Sequence, residues 1–159
     1  MNREITYELS PELVRIGTRR FIFRSAGPSF IFSLIALVIG AAGLIMGGRS
    51  VFWWLLTILP FCHGFIWVNY YCRMTKKMDE MPDRRITVRS EPDSITFQTS
   101  ERTSTIKWSY IKKVWKYPDI LLLFTNSRMT YTLIPVAPLG EQLKQFIEDK
   151  VKEHGGQIA

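Results

Sequence analysis

A long stretch almost without charge constrains this chain more than any other feature. Between Ser25 and Cys72 the only residue with a formal charge is Arg49, whereas the other 20 of the 21 basic residues and all 14 acidic residues lie outside this stretch. The hydrophobic fraction of the whole chain, 47%, is ordinary, but the apolar residues are concentrated in this one block. Such a distribution is typical of a membrane protein with a polar appendage and argues against a soluble globular protein.

The stretch divides into two uncharged runs, residues 28–48 and 50–72. Each run has the roughly 20 residues that a helix needs to cross about 30 Å of hydrocarbon. Because the link between them is only residues 47–50, the two predicted helices must run antiparallel as a transmembrane hairpin. The alternative is a signal peptide cleaved near residues 40–42, but the apolar run continues past that site and a second run follows at once.

Basic residues precede and follow the predicted hairpin in the sequence. Four arginines precede the first run and three cations follow the second, whereas the link carries only Arg49. The flanking residues are Arg15, Arg19, Arg20, Arg24, Arg73, Lys76 and Lys77. By the positive-inside rule, both chain termini are predicted to be cytoplasmic and the link to lie outside.

Small residues in the first run are spaced 4, 3, 4, 3 and 4 positions apart. They are Ser29, Ser33, Ala36, Gly40, Gly43 and Gly47. At 3.6 residues per turn these positions form one continuous stripe, and such stripes let helix backbones approach closely in lipid. We expect the stripe to receive large residues of the second helix, with a seam between two copies of the chain as the alternative.

His63 lies near the middle of the second run, three residues after Pro60. An ionisable residue at that depth is by default a candidate intramembrane polar site. The alternative is a neutral side chain that is hydrogen-bonded across the hairpin or to a carbonyl freed by Pro60. We favour this alternative because neither run contains an Asp, Glu or Lys with which to build a proton relay.

The polar segments on both sides of the hairpin predict an α+β domain. Residues 4–9 alternate as a short strand, and Ser10-Pro11-Glu12 is a helix-start pattern for a basic helix that should end at Gly27-Pro28. Between residues 84 and 154 the pattern indicates five or six antiparallel strands followed by one amphipathic helix. About 70 residues are marginal for a separate core, so we expect the strand at 4–9 to join the C-terminal sheet.

These patterns give the predicted organisation of the chain. The last predicted strand is the alternating run of Met129, Tyr131 and Leu133, which follows a tight turn at Asn126-Ser127. The predicted parts are an N-terminal strand and helix at 1–27, the hairpin at 28–72, a charged connector at 73–83, the domain at 84–154 and a tail at 155–159.

Eight basic and aromatic residues fall within eleven positions of the domain. They are Lys107, Trp108, Tyr110, Lys112, Lys113, Trp115, Lys116 and Tyr117. One interpretation is structural, with Trp108, Ile111 and Val114 buried and the lysines solvated. The others are contact with anionic headgroups, a protein partner, or nucleic acid bound through stacking and phosphate contacts.

Headgroups are the nearest anions for a domain tethered to a membrane, so beside the structural interpretation we keep contact with lipid or a protein partner as the candidate role, and we predict no nucleic acid. The candidate contact residues are Lys107, Lys112, Lys113, Trp115 and Lys116. Of these, Lys112, Lys113 and Lys116 are expected to face the inner leaflet while Trp108 is buried.

The sequence lacks the motifs of catalysis. It contains two histidines, His63 and His154, and neither has neighbours at metal-ligand spacing. There is no glycine-rich phosphate-binding loop. We therefore predict a protein that is not an enzyme and that uses no cofactor or metal.

Three segments resemble the YcxB-like bacterial membrane proteins: residues 106–114 (IKWSYIKKV), the apolar strand at 120–124, and Ile134-Pro135 before the last helix. With the basic N-terminal segment and the hairpin, the resemblance covers the whole chain by layout. It implies a bacterial inner-membrane location and a C-terminal domain related to pleckstrin-homology-like barrels, here an antiparallel barrel or sandwich of five to seven strands capped by a helix. It implies no catalytic residues, and some relatives resemble immunity proteins against secreted toxins. The chain departs from the family at 136–139, where a Lys-Arg-Ala-Phe-like run is usual.

We therefore expect a non-catalytic integral membrane protein that acts by binding anionic lipid or a protein such as a cognate toxin. The alternative is a small transporter or channel component that oligomerises through the glycine stripe and holds His63 in its pore.

Overall fold

The computed structural model describes residues 3–81, 83–126 and 130–159. The predicted turn residue Ser127 and the predicted strand residue Met129 lie outside the described residues, as does Pro82 of the predicted connector. The chain divides into two units. The hairpin unit is residues 18–79, and the sheet unit combines the segment up to Gly17 with the segment from Glu80 onward.

The predicted helical hairpin is present as α1, Pro11–Ile45, and α2, Val51–Asp79. Both helices are long and apolar enough to cross a membrane. The expected helix end at Gly27-Pro28 is wrong, because α1 continues through Pro28. Proline removes only one backbone hydrogen bond, which a long apolar helix tolerates. In the same turn the Ser29 hydroxyl donates to the Ala26 carbonyl at 2.9 Å.

Most of the predicted connector at 73–83 is also helical, because α2 ends only at Asp79. The segment between Cys72 and Asp79 contains no glycine or proline and is rich in residues with good helix propensity. Lys76 and Lys77 lie in the last turn, where cations interact favourably with the helix dipole.

The first sheet contains β1 (Arg3–Glu8), β2 (Arg85–Ser90), β3 (Ser94–Gln98) and β4 (Thr103–Lys107). The strands are antiparallel and follow the order β1-β2-β3-β4. Strand β1 pairs with β2 from Arg3 opposite Ser90 to Glu8 opposite Arg85. The N-terminal strand therefore joins the sheet, as predicted, and the hairpin is an insertion between two paired strands.

The second sheet contains β5 (Lys113–Lys116), β6 (Ile120–Phe124), β7 (Tyr131–Pro135) and β8 (Gln157–Ile158), in the order β7-β6-β5-β8. Helix α3, Gly140–Glu153, precedes β8. The prediction of a tail at 155–159 is wrong, because β8 pairs in parallel with β5.

Two glycines after α3 allow this return of the chain. Gly155 has a φ of +77°, a left-handed conformation that favours glycine at the end of a helix. At Gly156 a Cβ would lie 2.8 Å from the Ile111 carbonyl oxygen, so the approach of the two backbones also requires glycine.

The α+β domain with a C-terminal helix is present; of the expected barrel or sandwich, a closed barrel is not formed by the described residues. Within residues 83–126 and 130–159 and their partner β1, hydrogen bonds form two four-stranded sheets that do not close on each other. A 3-10 turn, Trp108–Tyr110, separates β4 from β5 and ends the first ladder. The domain is therefore built from two sheets rather than one continuous one.

Strand β6 is buried along its whole length, as its continuous apolar run predicts. The first turns of α1 cover one face of its sheet, because Gly17 packs so closely on Leu133 that a Cβ would overlap that side chain. Helix α3 lies on the other face, where its Glu148 pairs with Lys116 of β5 and its buried residues include Ile147 and Val151. Since side chains alternate between the faces of a strand, cover on both sides explains why every residue of β6 is buried.

Candidate functional site

The middle of the small-residue stripe packs directly against α2. A Cβ at Gly43 would overlap the ring of Trp53, and a Cβ at Gly40 would lie 2.7 Å from the Thr57 hydroxyl. Ser33 is buried and Ala36 is half-buried, whereas Ser29 and Gly47 at the two ends of the stripe are exposed. The close approach of the two helices is therefore concentrated between Ser33 and Gly43.

One polar cluster, defined by Ser29, Ser33, His63 and Trp67, lies within the hairpin. The Ser33 hydroxyl oxygen is 2.9 Å from Nδ1 of His63, and the Trp67 indole nitrogen is 2.8 Å from Nε2. The Ser29 hydroxyl oxygen is 3.3 Å from the same Nε2. The structure therefore brings His63 together with two residues of the stripe.

The donors of this cluster determine the form of the imidazole. An indole N–H only donates, so Nε2 of His63 accepts from Trp67 and the ring proton of the neutral imidazole is on Nδ1. The Nδ1–H then donates to the Ser33 hydroxyl, which in turn donates to the Ser29 carbonyl at 3.0 Å. This chain of bonds crosses from α2 to α1 and leaves each donor with an acceptor.

The chemistry available to the cluster is limited by its residue types. Its members are two hydroxyls, an imidazole and an indole, and no carboxylate or ammonium group contributes. In the described part of the chain no group of three or more His, Cys, Asp or Glu side chains is placed to hold a metal ion. The geometry is that of a polar connection between helices, and the indole N–H occupies the position that a proton on Nε2 would need.

Trp108 is fully buried in the sheet unit, as predicted. Its indole N–H donates to the Glu91 carbonyl at 3.0 Å, and its ring meets Phe146 of α3 edge-on at 6.2 Å between centroids. Ile111 and Val114 are also fully buried. Trp108 of the basic and aromatic cluster and its apolar neighbours Ile111 and Val114 therefore belong to the core.

The proposed contact role of Trp115 requires correction. Its side chain is only 7% exposed, and its ring lies 4.6 Å from that of Phe124. Sequence reasoning missed β5, in which Trp115 and Val114 point to opposite covered faces of the sheet. A ring packed in this way has no surface to offer a headgroup or a partner.

The expectation that Lys112, Lys113 and Lys116 share one membrane-facing surface is also wrong. Lys113 and Lys116 are three positions apart in β5, so strand alternation places them on opposite faces. The ammonium of Lys113 lies 5.7 Å from the Trp115 ring centroid, and that of Lys112 donates to the Ser109 carbonyl at 2.8 Å. Lys107 is exposed on β4, in the other sheet.

Lys116 forms an ion pair with α3. Its ammonium lies 2.7 Å from a carboxylate oxygen of Glu148, whose side chain is only 8% exposed. A hydrogen bond with this carboxylate, together with its charge, raises the pKa of Lys116 above the ordinary value for lysine. Lys116 therefore stabilises the packing of α3 on the second sheet.

Sequence reasoning did not identify Trp67 as a partner of His63. The signal was available, because residues four apart on a helix lie on the same face. The contact between Ser33 and His63 follows less directly, since it depends on the register of the two antiparallel helices.

Comparisons with known proteins identify one family. The model of the family described as YcxB-like protein matches residues 91–148, which begin just before β3 and end within α3. No curated protein matches the chain. No solved structure matches it either. The predicted resemblance to the YcxB-like family is therefore confirmed over this segment, which contains the basic and aromatic cluster and most of the second sheet.

Proposed function

We propose that the protein is a non-catalytic integral protein of the bacterial inner membrane, with both termini in the cytoplasm. Its sheet unit is a pleckstrin-homology-like domain that acts by binding a partner. Two sheets with a C-terminal helix support this domain type, which the YcxB-like resemblance implies.

The observation that carries the proposal is the outer surface of the hairpin. Large apolar side chains project from both helices and are more than half exposed, including Phe32 at 72% and Phe65 at 70%. Others of this kind are Ile31, Val38, Val51, Leu55, Phe61, Ile66 and Val68. An apolar surface of this extent is unfavourable in water and favourable in hydrocarbon.

The pairing of β1 with β2 supports the topology. These strands lie on either side of the hairpin in the sequence and form one ladder, so both must be on the same side of a membrane. A chain that crosses the membrane twice between β1 and β2 meets this requirement, whereas a chain that crosses once does not. Loss of β1 and half of α1 by signal-peptide cleavage would remove a paired strand from the sheet. The basic residues just before and just after the hairpin in the sequence then favour the cytoplasm for the sheet unit.

The partner is proposed from the resemblance to the YcxB-like family, some members of which are similar to toxin-immunity proteins. A cognate toxin that acts at the membrane is one such partner. The packing of Gly40 and Gly43 within a single hairpin supports the binding protein over the channel alternative, because the middle of the stripe is already covered by α2.

Cysteine labelling tests the topology. With Cys62 and Cys72 replaced by alanine, a cysteine at Ser50 should react with a membrane-impermeant maleimide added outside intact cells. A cysteine at Glu101, an exposed turn residue of the sheet unit, is the matched control and should react only after lysis. The reverse pattern would contradict the proposal, and fractionation of the protein as soluble would refute its membrane location.

A further inference from the structure

Six basic residues surround one end of the hairpin unit. This basic collar consists of Arg19, Arg20, Arg24, Arg73, Lys76 and Lys77. The hairpin unit contains no acidic residue before Asp79, its last residue. The collar therefore concentrates six positive charges in a unit whose only acidic residue is Asp79.

Aromatic packing places the two halves of the collar at the same level. The buried ring of Phe21 on α1 lies 5.3 Å from that of Tyr70 and 6.1 Å from that of Trp67, both on α2. Arg20 is adjacent to Phe21, and Arg73 is about one turn beyond Tyr70. Since the helices are antiparallel, cations of both helices lie around one cross-section of the hairpin.

The collar lies at the boundary between apolar and charged surface. Arg73 and Lys77 are exposed and one turn apart on α2, so they present two cations along one line of the helix. Phe23, which is 71% exposed, lies among the collar residues on α1, between Arg20 and Arg24. Basic groups next to an exposed aromatic ring at the end of an apolar helix match the headgroup level of a bilayer.

We infer that the basic collar binds the phosphate groups of anionic phospholipids. The inference deepens the proposed function and rests on it, because the collar reaches headgroups only if the hairpin spans the membrane. A guanidinium offers phosphate paired hydrogen bonds in a planar fork, and each cation near an anionic surface adds attraction. The lysines of the basic and aromatic cluster fit this role less well, since Lys113 and Lys116 point to opposite faces of one sheet.

Native mass spectrometry of the full chain in mild detergent tests the inference. The protein is titrated with phosphatidylglycerol or with zwitterionic phosphatidylcholine, and the bound lipid is counted. We expect phosphatidylglycerol to bind more tightly, and Arg73→Gln combined with Lys77→Gln to weaken it by roughly tenfold. Binding of phosphatidylcholine should not change.

The matched control is Lys107→Gln combined with Lys152→Gln, which removes the same charge from two exposed positions of the sheet unit. This control should bind phosphatidylglycerol like the unchanged protein. Equal weakening by both double variants would overturn the inference, because it would reflect net charge. Displacement of the lipid by soluble glycerol phosphate would also overturn it, by assigning the collar to a soluble anion.

The inference and the proposed function fail in different ways. A protein that remains soluble without detergent and does not enter vesicles refutes the proposed function. A protein that inserts but binds the two lipids equally overturns only the assignment of the collar.

Discussion

The hairpin unit and the sheet unit place their large apolar residues in opposite positions. In the sheet unit such residues are inside, and Trp108, Ile120 and Ile147 have no exposed surface. In the hairpin unit most of them are outside: Phe32 is 72% exposed, whereas Phe21, which packs against Tyr70, is fully buried. The small residue Gly43 is buried between the helices. The two units thus contain similar apolar residues, but the large ones are mostly buried in the sheet unit and mostly on the surface in the hairpin unit.

The difference is the one expected if the sheet unit is in water and the hairpin unit in lipid, as proposed above. In water, burial of apolar surface stabilises a core at roughly 25 cal/mol per Å², so the largest side chains are inside. In lipid this driving force between helices is absent, and small residues together with interhelical hydrogen bonds hold the helices together. Gly40, Gly43 and the bond between Ser33 and His63 fit the second case. A substitution that weakens the packing of one unit should therefore leave the other unit largely unchanged.

The largest effect is expected for Trp108→Ala. Removing a fully buried tryptophan should destabilise the sheet unit by about 3–5 kcal/mol. Hydrogen exchange of the full chain should show faster exchange for β6 amides, with little change in the middle of α2. The matched control is Tyr110→Ala in the same 3-10 turn, where the side chain is 55% exposed and the effect should be small. Unchanged exchange of β6 amides in the Trp108 variant would contradict a core that is stabilised by burial of apolar surface from water.

Gly43→Leu should weaken the hairpin unit by about 1–3 kcal/mol, because the new side chain would overlap the Trp53 ring. The expected result is faster hydrogen exchange of α2 amides near Trp53, with no change at β6 amides. Gly27→Leu is the control, since a Cβ at Gly27 meets no atom within 4 Å. If Gly43→Leu instead leaves stability unchanged and dissociates an oligomer in detergent, the stripe is a seam between copies of the chain.

The bond between Ser33 and His63 should contribute about 1 kcal/mol, as interhelical hydrogen bonds in lipid generally do. A double-mutant cycle with Ser33→Ala and His63→Phe measures this coupling from thermal unfolding in detergent. Asn69→Ala is a suitable control, because the Asn69 side chain bonds within its own helix, to the Phe65 carbonyl at 2.9 Å. Additive effects of the two substitutions would show that the bond does not connect the helices.

A similarly small effect at neutral pH is expected for Tyr7 of the sheet unit. Its hydroxyl donates to the Leu133 carbonyl at 3.2 Å, so Tyr7→Phe should cost about 0.5–1.5 kcal/mol. Burial raises the pKa of the Tyr7 phenol well above its ordinary value. The stability that this neutral phenol contributes is therefore complete below about pH 10, where an unfolded tyrosine ionises, and is lost as the pH rises further.

Alkaline denaturation checks this sign. The unchanged protein should lose stability in the sheet unit above about pH 10, and Tyr7→Phe should flatten this loss. The raised pKa of Lys116 acts in the same direction, because its ion pair with Glu148 is lost when the ammonium deprotonates. Tyr110→Phe, at an exposed position, is the control and should not alter the slope. A loss of stability as the pH falls from 10 towards neutrality would contradict both assignments.

Much of the fold follows from local patterns in the sequence. The two helices, the pairing of the N-terminal strand and the buried run of β6 were all predicted, because each depends on hydrophobic periodicity or on the need for a larger core. The helix through Pro28 was missed because proline usually ends a helix in water. The short strands β5 and β8 were missed because four and two residues are too few to show a period.

The candidate sites divide in the same way. The stripe and His63 could be selected by spacing and depth, since both are properties of one helix. The errors at Trp115 and at the three lysines arose because their exposure depends on which strand they occupy and on what covers each face of the sheet.

The sequence alone determines that an apolar hairpin interrupts an α+β unit, because charge and hydrophobic periodicity are properties of the order of residues. It also determines which residues are able to pack closely, bond across a hairpin or carry charge at its ends. Only the tertiary structure decides that Ser33 meets His63, that Lys116 pairs with Glu148 and that the chain returns as β8 beside β5. These contacts join residues far apart in the chain, and their formation depends on register and packing that no local pattern encodes.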